Sequence, residues 1–200
     1  MFDTLIIGGG AAGLQCALVL GSAAKKPYAI DKKIGIIAHQ KASHLQSALF
    51  NNVLGLPPNT LGKDILVSGK KQLADLYPEV IQIDNEKVNS IDQTDGVYLV
   101  QTNKATYRAS IIVLALNYAK PFLIKGLETY LEPHSLTKVA KDRIQLKNEN
   151  LLVKKGMYVC GTIAGFRSQF AIAAGTGAMV ATDILTLWNN GEHVKVHDKA

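Results

Sequence analysis

The chain has 200 residues, of which 48% are hydrophobic and 19% are charged, and its formal net charge is +6. This composition excludes a disordered chain and provides enough apolar residues for one domain with a substantial core, or at most two small ones. The positive charge is mild, and its lysine pairs lack interleaved aromatic residues, so we expect no nucleic-acid partner. Cys16 and Cys160 form no C-x-x-C motif, which predicts neither a metal site nor a local redox dithiol.

Three features favour a cytoplasmic protein. Sparse cysteine usage suits a reducing compartment. The chain begins almost directly with an apolar strand, which leaves no room for a signal peptide. The Ala-rich region from Phe170 to Leu187 is interrupted by Thr176, Thr182 and Asp183, so we predict no membrane-spanning segment and no membrane partner.

The N-terminal residues have the pattern of a buried strand, a glycine turn and a helix. An apolar run, Thr4–Ile7, is followed by the turn Gly8-Gly9-Gly10-Ala11-Ala12-Gly13 and then by small and apolar residues to Leu20. In dinucleotide-binding folds the glycines permit a tight turn, let the backbone approach a pyrophosphate and bring the helix close to the strand. The helix then directs its unpaired N–H groups and positive dipole end at the phosphates.

A second strand is predicted over Tyr28–Ile30, ending at Asp31, at about the twenty-residue spacing typical of this motif. A carboxylate there accepts hydrogen bonds from an adenosine ribose and repels a 2′-phosphate, which predicts against an NADP site. The alternative is a glycine turn in an unrelated α/β fold, with Asp31 a solvated strand end.

The middle of the chain predicts one helix and several strands. Residues 32–59 have no clean period, and His39 and His44 within them are interpreted as loop histidines. Apolar residues at three- and four-residue steps predict a helix over Gly62–Leu76. The strands that follow, including a short antiparallel meander and a strand covered on both faces, are predicted at Val80–Ile83, Val88–Ile91, Val97–Thr102, Ala105–Arg108 and Ser110–Leu116.

The C-terminal part predicts one more strand and a long helix. Residues 117–148 are polar and punctuated by Pro and Gly, so we expect turns and one short helix around Leu127 to Leu131. A buried strand is predicted at Met157–Cys160 and a helix from about Gln169 to Trp188. Residues 189–200 form a polar tail that we expect to fray.

Several segments, in order, resemble the FAD-binding domain of thioredoxin reductase and its relatives among the pyridine nucleotide-disulfide oxidoreductases. Besides the glycine turn and Asp31, these segments are Asn52–Pro57, Gly156–Gly161, and Gln169 followed by Ala174–Met179. The resemblance covers most of the chain. It implies an α/β fold with a Rossmann-like FAD/NAD(P)-binding domain, in which a parallel sheet is flanked by helices and carries a small antiparallel β-meander. It also implies that residues 1–200 form a single FAD-binding domain.

The resemblance implies FAD as the cofactor and a role for each matching residue. The glycine turn would cradle the pyrophosphate, and Asp31 with its neighbour would hold the adenosine ribose. Gly161 and Thr162 would lie along the ribityl chain, and the start of the last helix would lie at the isoalloxazine edge. The implied cofactor-binding residues are Gly8, Gly10, Ala11, Ala12, Gly13, Asp31, Lys32, Ala115, Gly161, Thr162, Ser168, Gln169, Phe170 and Ala171.

The chain also departs from the family pattern. Thr162 stands where the family carries Asp, and Ala115-Leu116-Asn117 replaces the usual Ala-Thr-Gly. Residues 117–143 replace the NADPH-binding domain of relatives, which contains the redox-active C-x-x-C, and are too short for such a domain.

These departures indicate a thioredoxin reductase-like oxidoreductase or electron-transfer flavoprotein with an external electron donor or acceptor. It would not be a self-sufficient disulfide reductase, and no catalytic side chain is assigned. The expected partners are a second copy in a homodimer and a separate reductase or small-molecule electron donor. The alternative is a non-catalytic dinucleotide-binding or sensing module.

Overall fold

The structure, a computed structural model, describes residues 1–196. Within them, the α-helices are α1 (Ala11–Ser22), α2 (Gly62–Leu76) and α3 (Phe170–Trp188). The strands are β1 (Phe2–Ile7), β2 (Ile34–Ala38), β3 (Leu49–Phe50), β4 (Thr60–Leu61), β5 (Ile81–Asp84), β6 (Val88–Thr94), β7 (Val97–Thr102), β8 (Thr106–Leu114), β9 (Leu131–Pro133), β10 (Ile144–Leu146), β11 (Leu152–Lys154) and β12 (Met157–Val159).

The main sheet has a parallel centre and antiparallel additions. Its order is β11-β12-β8-β1-β2-β5, and the five strands from β12 to β5 run parallel. Strand β11 pairs antiparallel with β12, and β6, β7 and β8 form an antiparallel meander. The prediction of a parallel sheet flanked by helices, with a small meander, is therefore confirmed.

The central strands are buried on both faces. Their apolar residues accordingly do not alternate with polar ones, as is expected of such strands. Leu5 and Ile6 of β1, and Ile112 and Val113 of β8, are inaccessible to solvent. Helix α1 packs along α3 and also contacts α2. The predicted span of α2 is confirmed residue for residue, and its Leu66 and Leu73 enter the core as the periodicity indicated.

The position of the second strand is a correction. Residues Tyr28–Asp31 form turns, and β2 is instead Ile34–Ala38, which lies in the region interpreted as irregular. Ile30 is 64% exposed, whereas Ile36 is fully buried. Burial of the longer apolar run thus outweighs the spacing rule, and Asp31 precedes β2 rather than ending it.

The meander is built from fewer, longer strands than predicted. The expected strands Ala105–Arg108 and Ser110–Leu116 are one continuous strand, β8. Its first half pairs antiparallel with β7, and its second half pairs parallel with β1. One strand therefore connects the meander directly to the parallel sheet.

The segment after β8 and the C-terminal tail are more ordered than predicted. The helix expected around residues 127–131 is a single 3₁₀ turn, Glu128–Tyr130, and it leads into a two-stranded sheet of β9 and β10. In the tail, Val194 is buried in the core, so residues 189–196 are not simply frayed. The expectation for residues 197–200 lies outside the described part.

By length and composition, α3 passes the test for a membrane-spanning helix, contrary to the expectation that its polar residues exclude this. One such helix is weak evidence for a membrane, because the core helix of a soluble protein passes the same test. In this fold, α3 packs against α1 through a buried face that includes Val180, Ala181, Ile184 and Leu185.

Candidate functional site

One cavity of about 560 Å³ lies where the five parallel strands end. Its walls include the residues that follow β12, β8, β1, β2 and β5, in the order of the sheet. Because neighbouring strands lie about 4.8 Å apart, these five ends span about 19 Å. Strand β1 lies between β2, to which the chain continues next, and β8, which comes much later in the sequence. The carboxyl end of β1 is therefore a topological switch point, the kind of position that binds dinucleotides.

The glycine turn lies at the middle of the cavity, between β1 and α1. Gly8 has a φ of +117°, and a Cβ there would lie 2.2 Å from the carbonyl oxygen of Ala115. A Cβ on Gly13 would lie 1.8 Å from the carbonyl oxygen of Gly8. Gly10 is the N-cap of α1 and has no side chain to satisfy the first N–H groups of the helix. These groups are therefore available to an anion.

The structure brings ten of the fourteen predicted cofactor-binding residues to this cavity. They are Gly8, Gly10, Ala11, Ala12, Ala115, Gly161, Thr162, Ser168, Gln169 and Phe170. Gly13 lies behind the turn and sets how closely α1 approaches it. Ala171 is exposed on α3 and is not one of the lining residues.

Asp31 and Lys32 lie before β2, at the opposite end of the strands from the cavity. The Lys32 ammonium is 3.4 Å from an Asp3 carboxylate oxygen and 5.7 Å from the centroid of the Trp188 ring. Trp188 ends α3, and the start of α3 lines the cavity. Because Asp3 lies near the start of β1 and the cavity lies where that strand ends, neither residue is placed to hold an adenosine ribose at the cavity. The assignment of both to the site is wrong, because it depended on the misplaced second strand.

One end of the cavity is built by the turn after β12 and by the start of α3. The Gly161 N–H donates to Thr176 Oγ1 at 2.9 Å, which ties that turn to the helix. The Gln169 side-chain oxygen caps α3 by accepting from the Ile172 N–H at 3.1 Å. The Phe170 ring packs edge-on against Phe50, with centroids 5.2 Å apart. This end is thus apolar with hydrogen-bonding groups at its edge.

The other end is built by the residues after β2 and β5. His39 follows β2 directly and lines the cavity. The next residue, Gln40, donates from Nε2 to the carbonyl oxygen of Gly9 at 2.8 Å and so fixes the chain beside the glycine turn. The carboxylate of Glu86, after β5, accepts from Thr102 Oγ1 at 2.6 Å and from the Tyr107 hydroxyl at 2.9 Å.

A cluster of aromatic and basic side chains borders the cavity. The His44 ring is 5.2 Å from the Tyr118 ring, which in turn is 5.3 Å from His134 and 5.1 Å from the Arg143 guanidinium. Burial, and then the charge of Arg143, lower the pKa of His44. The Nδ1 atom of His134 accepts from the Leu136 N–H at 3.2 Å, which assigns the ring proton to Nε2, facing the Phe166 carbonyl oxygen.

The two cysteines are fully buried and form no disulfide. Burial raises the pKa of Cys160 to about 12. Burial, and then proximity to Cys160, raise the pKa of Cys16 well above its ordinary value. Neither side chain is one of the lining residues, so both cysteines belong to the core of the protein.

Several lining residues lie outside the motifs that were predicted from the sequence. Residues 117–124 supply part of the cavity wall. The apolar run of β2 was a usable signal for His39, since the residue after a parallel strand lies at this edge. No local pattern marked the remaining lining residues, which include Ser43, His44, Phe50, Lys87, Val88, Phe122 and Ile124.

The fold is that of the dinucleotide-binding domains of thioredoxin reductases. A thioredoxin reductase from Gloeobacter violaceus superposes with a TM-score of 0.74 and 16% identity, covering 100% of this chain and 98% of that one. A ferredoxin-flavin thioredoxin reductase from Clostridium acetobutylicum gives a TM-score of 0.68 and 16% identity, covering 94% of this chain and 98% of that one.

In sequence, the chain is similar to ferredoxin–NADP reductase 1 of Bacillus cytotoxicus, with 26% identity over 178 residues. That match covers 88% of this chain and 45% of the relative, so the chain spans less than half the length of this curated relative. No protein-family model matches. The two kinds of comparison confirm the resemblance carried by the sequence motifs and the fold that it implies.

Proposed function

We propose that the chain is an FAD-binding flavoprotein of the thioredoxin reductase type that exchanges electrons with an external donor or acceptor. The observation that carries this proposal is the single cavity that crosses five parallel strand ends with the glycine turn at its centre. A dinucleotide has its pyrophosphate between two bulky halves. The cavity has the matching order, with a backbone anion site in the middle and space on both sides.

The residues present fit FAD. The glycine turn and the start of α1 would hold the pyrophosphate. Gly161 and Thr162 would lie along the ribityl chain, and Gln169 and Phe170 would lie beside the isoalloxazine ring. There the positive dipole end of α3 favours negative charge on the ring. When bound, FAD supplies the electron-accepting and electron-donating chemistry, and the protein supplies position and electrostatics.

The cysteines and the nucleotide-binding motifs of this chain favour an external electron donor. Its two cysteines are buried, with raised pKa values, and no second glycine-rich nucleotide motif follows the first. The relative in sequence is named for both ferredoxin and NADP, and one structural neighbour is named for ferredoxin. We therefore propose that a separate reductase, electron carrier or small molecule exchanges electrons with this chain, in the cytoplasm.

The test is the absorption spectrum of the purified protein, followed by reduction. We expect a yellow protein with flavin bands, or a colourless protein that acquires them on addition of FAD. Dithionite should bleach the bands, whereas NADH or NADPH alone should not do so at a catalytic rate. A protein that ignores added FAD would overturn the proposal, and rapid bleaching by NADPH alone would overturn the external donor.

The second candidate is a non-catalytic module that binds or senses an adenine dinucleotide. Thr162, in place of the family's Asp, favours it, because a hydroxyl holds a ribityl oxygen without charge assistance. Calorimetry with FAD, FMN, NAD and ADP separates the two candidates. Comparable affinity for ADP and FAD would mean that the ring is not recognised and would favour the sensing module.

A further inference from the structure

The end of β2 lies against the glycine turn. Strands β1 and β2 pair in parallel, with Ile7 opposite Ile37. A Cβ on Gly9 would lie 2.9 Å from the Ala38 Cβ, so the two backbones are in close contact. The hydrogen bond from Gln40 to the Gly9 carbonyl oxygen then fixes the chain on the far side of His39. The half-buried His39 side chain is therefore held at the cavity, one residue beyond β2.

In dinucleotide-binding folds, a carboxylate at this position accepts hydrogen bonds from the ribose 2′-OH and repels a 2′-phosphate. This chain has an imidazole there, which is neutral or cationic but never anionic. The other ionisable groups in the cavity wall are those of His44, Glu86 and Lys87, and Asp84, opposite Ala38 at the end of β5, is paired with Lys70 at 2.6 Å. Lys41, two residues after His39, is exposed and adds positive charge nearby.

Glu86 does not replace the missing acid. It is the one carboxylate among the described residues that line the cavity, and it is only 9% exposed. Both of its oxygens already accept hydrogen bonds, from Thr102 in β7 and Tyr107 in β8. Its charge is therefore directed into the meander and away from the end of β2.

We infer that the adenosine end of this cavity accepts a ribose with or without a 2′-phosphate, because the side chain at position 39 carries no negative charge. The ligand class is an adenosine nucleotide that carries a 2′-phosphate, as in NADP. This inference rests on one part of the proposed function, namely that the cavity binds an adenine dinucleotide. It withdraws the sequence-based prediction against an NADP-type ribose, which depended on Asp31.

The experiment compares two ligands that differ by one phosphate. AMP and adenosine 2′,5′-bisphosphate are tested as competitors of FAD binding to the full chain freed of cofactor, with flavin fluorescence as the readout. For the wild type we expect dissociation constants that agree within about threefold. His39→Glu should weaken the bisphosphate at least about tenfold relative to AMP, because it places like charges together. His39→Ala adds no negative charge and should keep the wild-type ratio.

The exposed His193 provides the matched control, and His193→Ala should leave every constant unchanged. The inference is overturned if the wild type rejects the bisphosphate tenfold or more, or if His39→Glu weakens both ligands equally. If FAD binds but neither adenosine ligand competes, this inference fails and the proposed function stands. If FAD itself does not bind, the proposed function fails first.

Discussion

At the scale of single residues, the two buried cysteines determine how the protein responds to thiol reagents. Thiolate is the reactive form of cysteine, and a thiol with a pKa of about 12, such as that of Cys160, is uncharged at neutral pH. We expect a disulfide-type thiol reagent to modify neither cysteine in the native protein and both in urea. Rapid modification of either thiol under native conditions would contradict the burial of that residue.

The same pKa shift predicts how stability depends on pH. An unfolded cysteine titrates at about 8.5, so the folded state retains the Cys160 proton to higher pH than the unfolded state does. The resulting stabilisation is complete below that pH and is lost as the pH rises towards about 12. The free energy of unfolding, measured by urea titration, should fall across this window and should fall less steeply in Cys160→Ala. A difference between the two proteins that is constant with pH would contradict this.

The glycine turn and Asp31 illustrate which residues of the site could be predicted from the sequence and which could not. The glycine turn was predictable because its residues are adjacent in sequence and each glycine meets a local steric demand. Asp31 was misassigned because spacing alone identified it. The burial of Ile34, Ile36 and Ile37, which decided the true strand, is a tertiary effect that acts over the whole sheet.

At the scale of elements, close packing of α3 on α1 positions the start of α1 at the cavity. A Cβ on Gly177 would lie 2.1 Å from the carbonyl oxygen of Ala12, whereas a Cβ on Gly175, two residues earlier in α3, would meet nothing within 4 Å. The Ala12 carbonyl belongs to backbone and cannot rotate away. Substitution at Gly177 must therefore separate the two helices.

This contrast gives a matched pair of variants. We expect Gly177→Ala to lower the free energy of unfolding by at least about 2 kcal/mol, as overpacking of a close contact does. Gly175→Ala should raise it by about 0.5–1 kcal/mol, because alanine favours an exposed helix interior. Urea titration measures both effects. If the two variants have equal stability, α1 and α3 are not in contact at Gly177.

Elements with a local signature were predicted more accurately than elements formed by pairing. Helix α2 was predicted residue for residue because its periodicity is contained in its own sequence. The joining of two expected strands into β8, and the pairing of β9 with β10, depend on partners that are distant in sequence. The cavity wall at residues 117–124 also depends on distant partners, such as the pairing of Lys125 with Ser90.

At the scale of the whole molecule, the chain leaves apolar side chains on the outer face of α3. Met179 and Leu187 are 54% and 55% exposed, and Ile172 lies on the same helix at 36%. Clustered apolar side chains of this kind mark interaction surfaces more often than scattered ones do. A second copy of this chain, which is the partner expected from the sequence, would cover these side chains.

We therefore predict a homodimer that uses the outer face of α3. Light scattering should give a mass of two chains per particle, and Met179→Glu should reduce it to one chain, because a buried unpaired charge destabilises an interface. Val67→Glu is the control, since Val67 is 71% exposed on α2 and its substitution should leave the mass unchanged. A particle of one chain in the wild type would contradict the dimer. A dimer that is unaffected by Met179→Glu but disrupted by Val67→Glu would indicate that the interface lies on α2 instead.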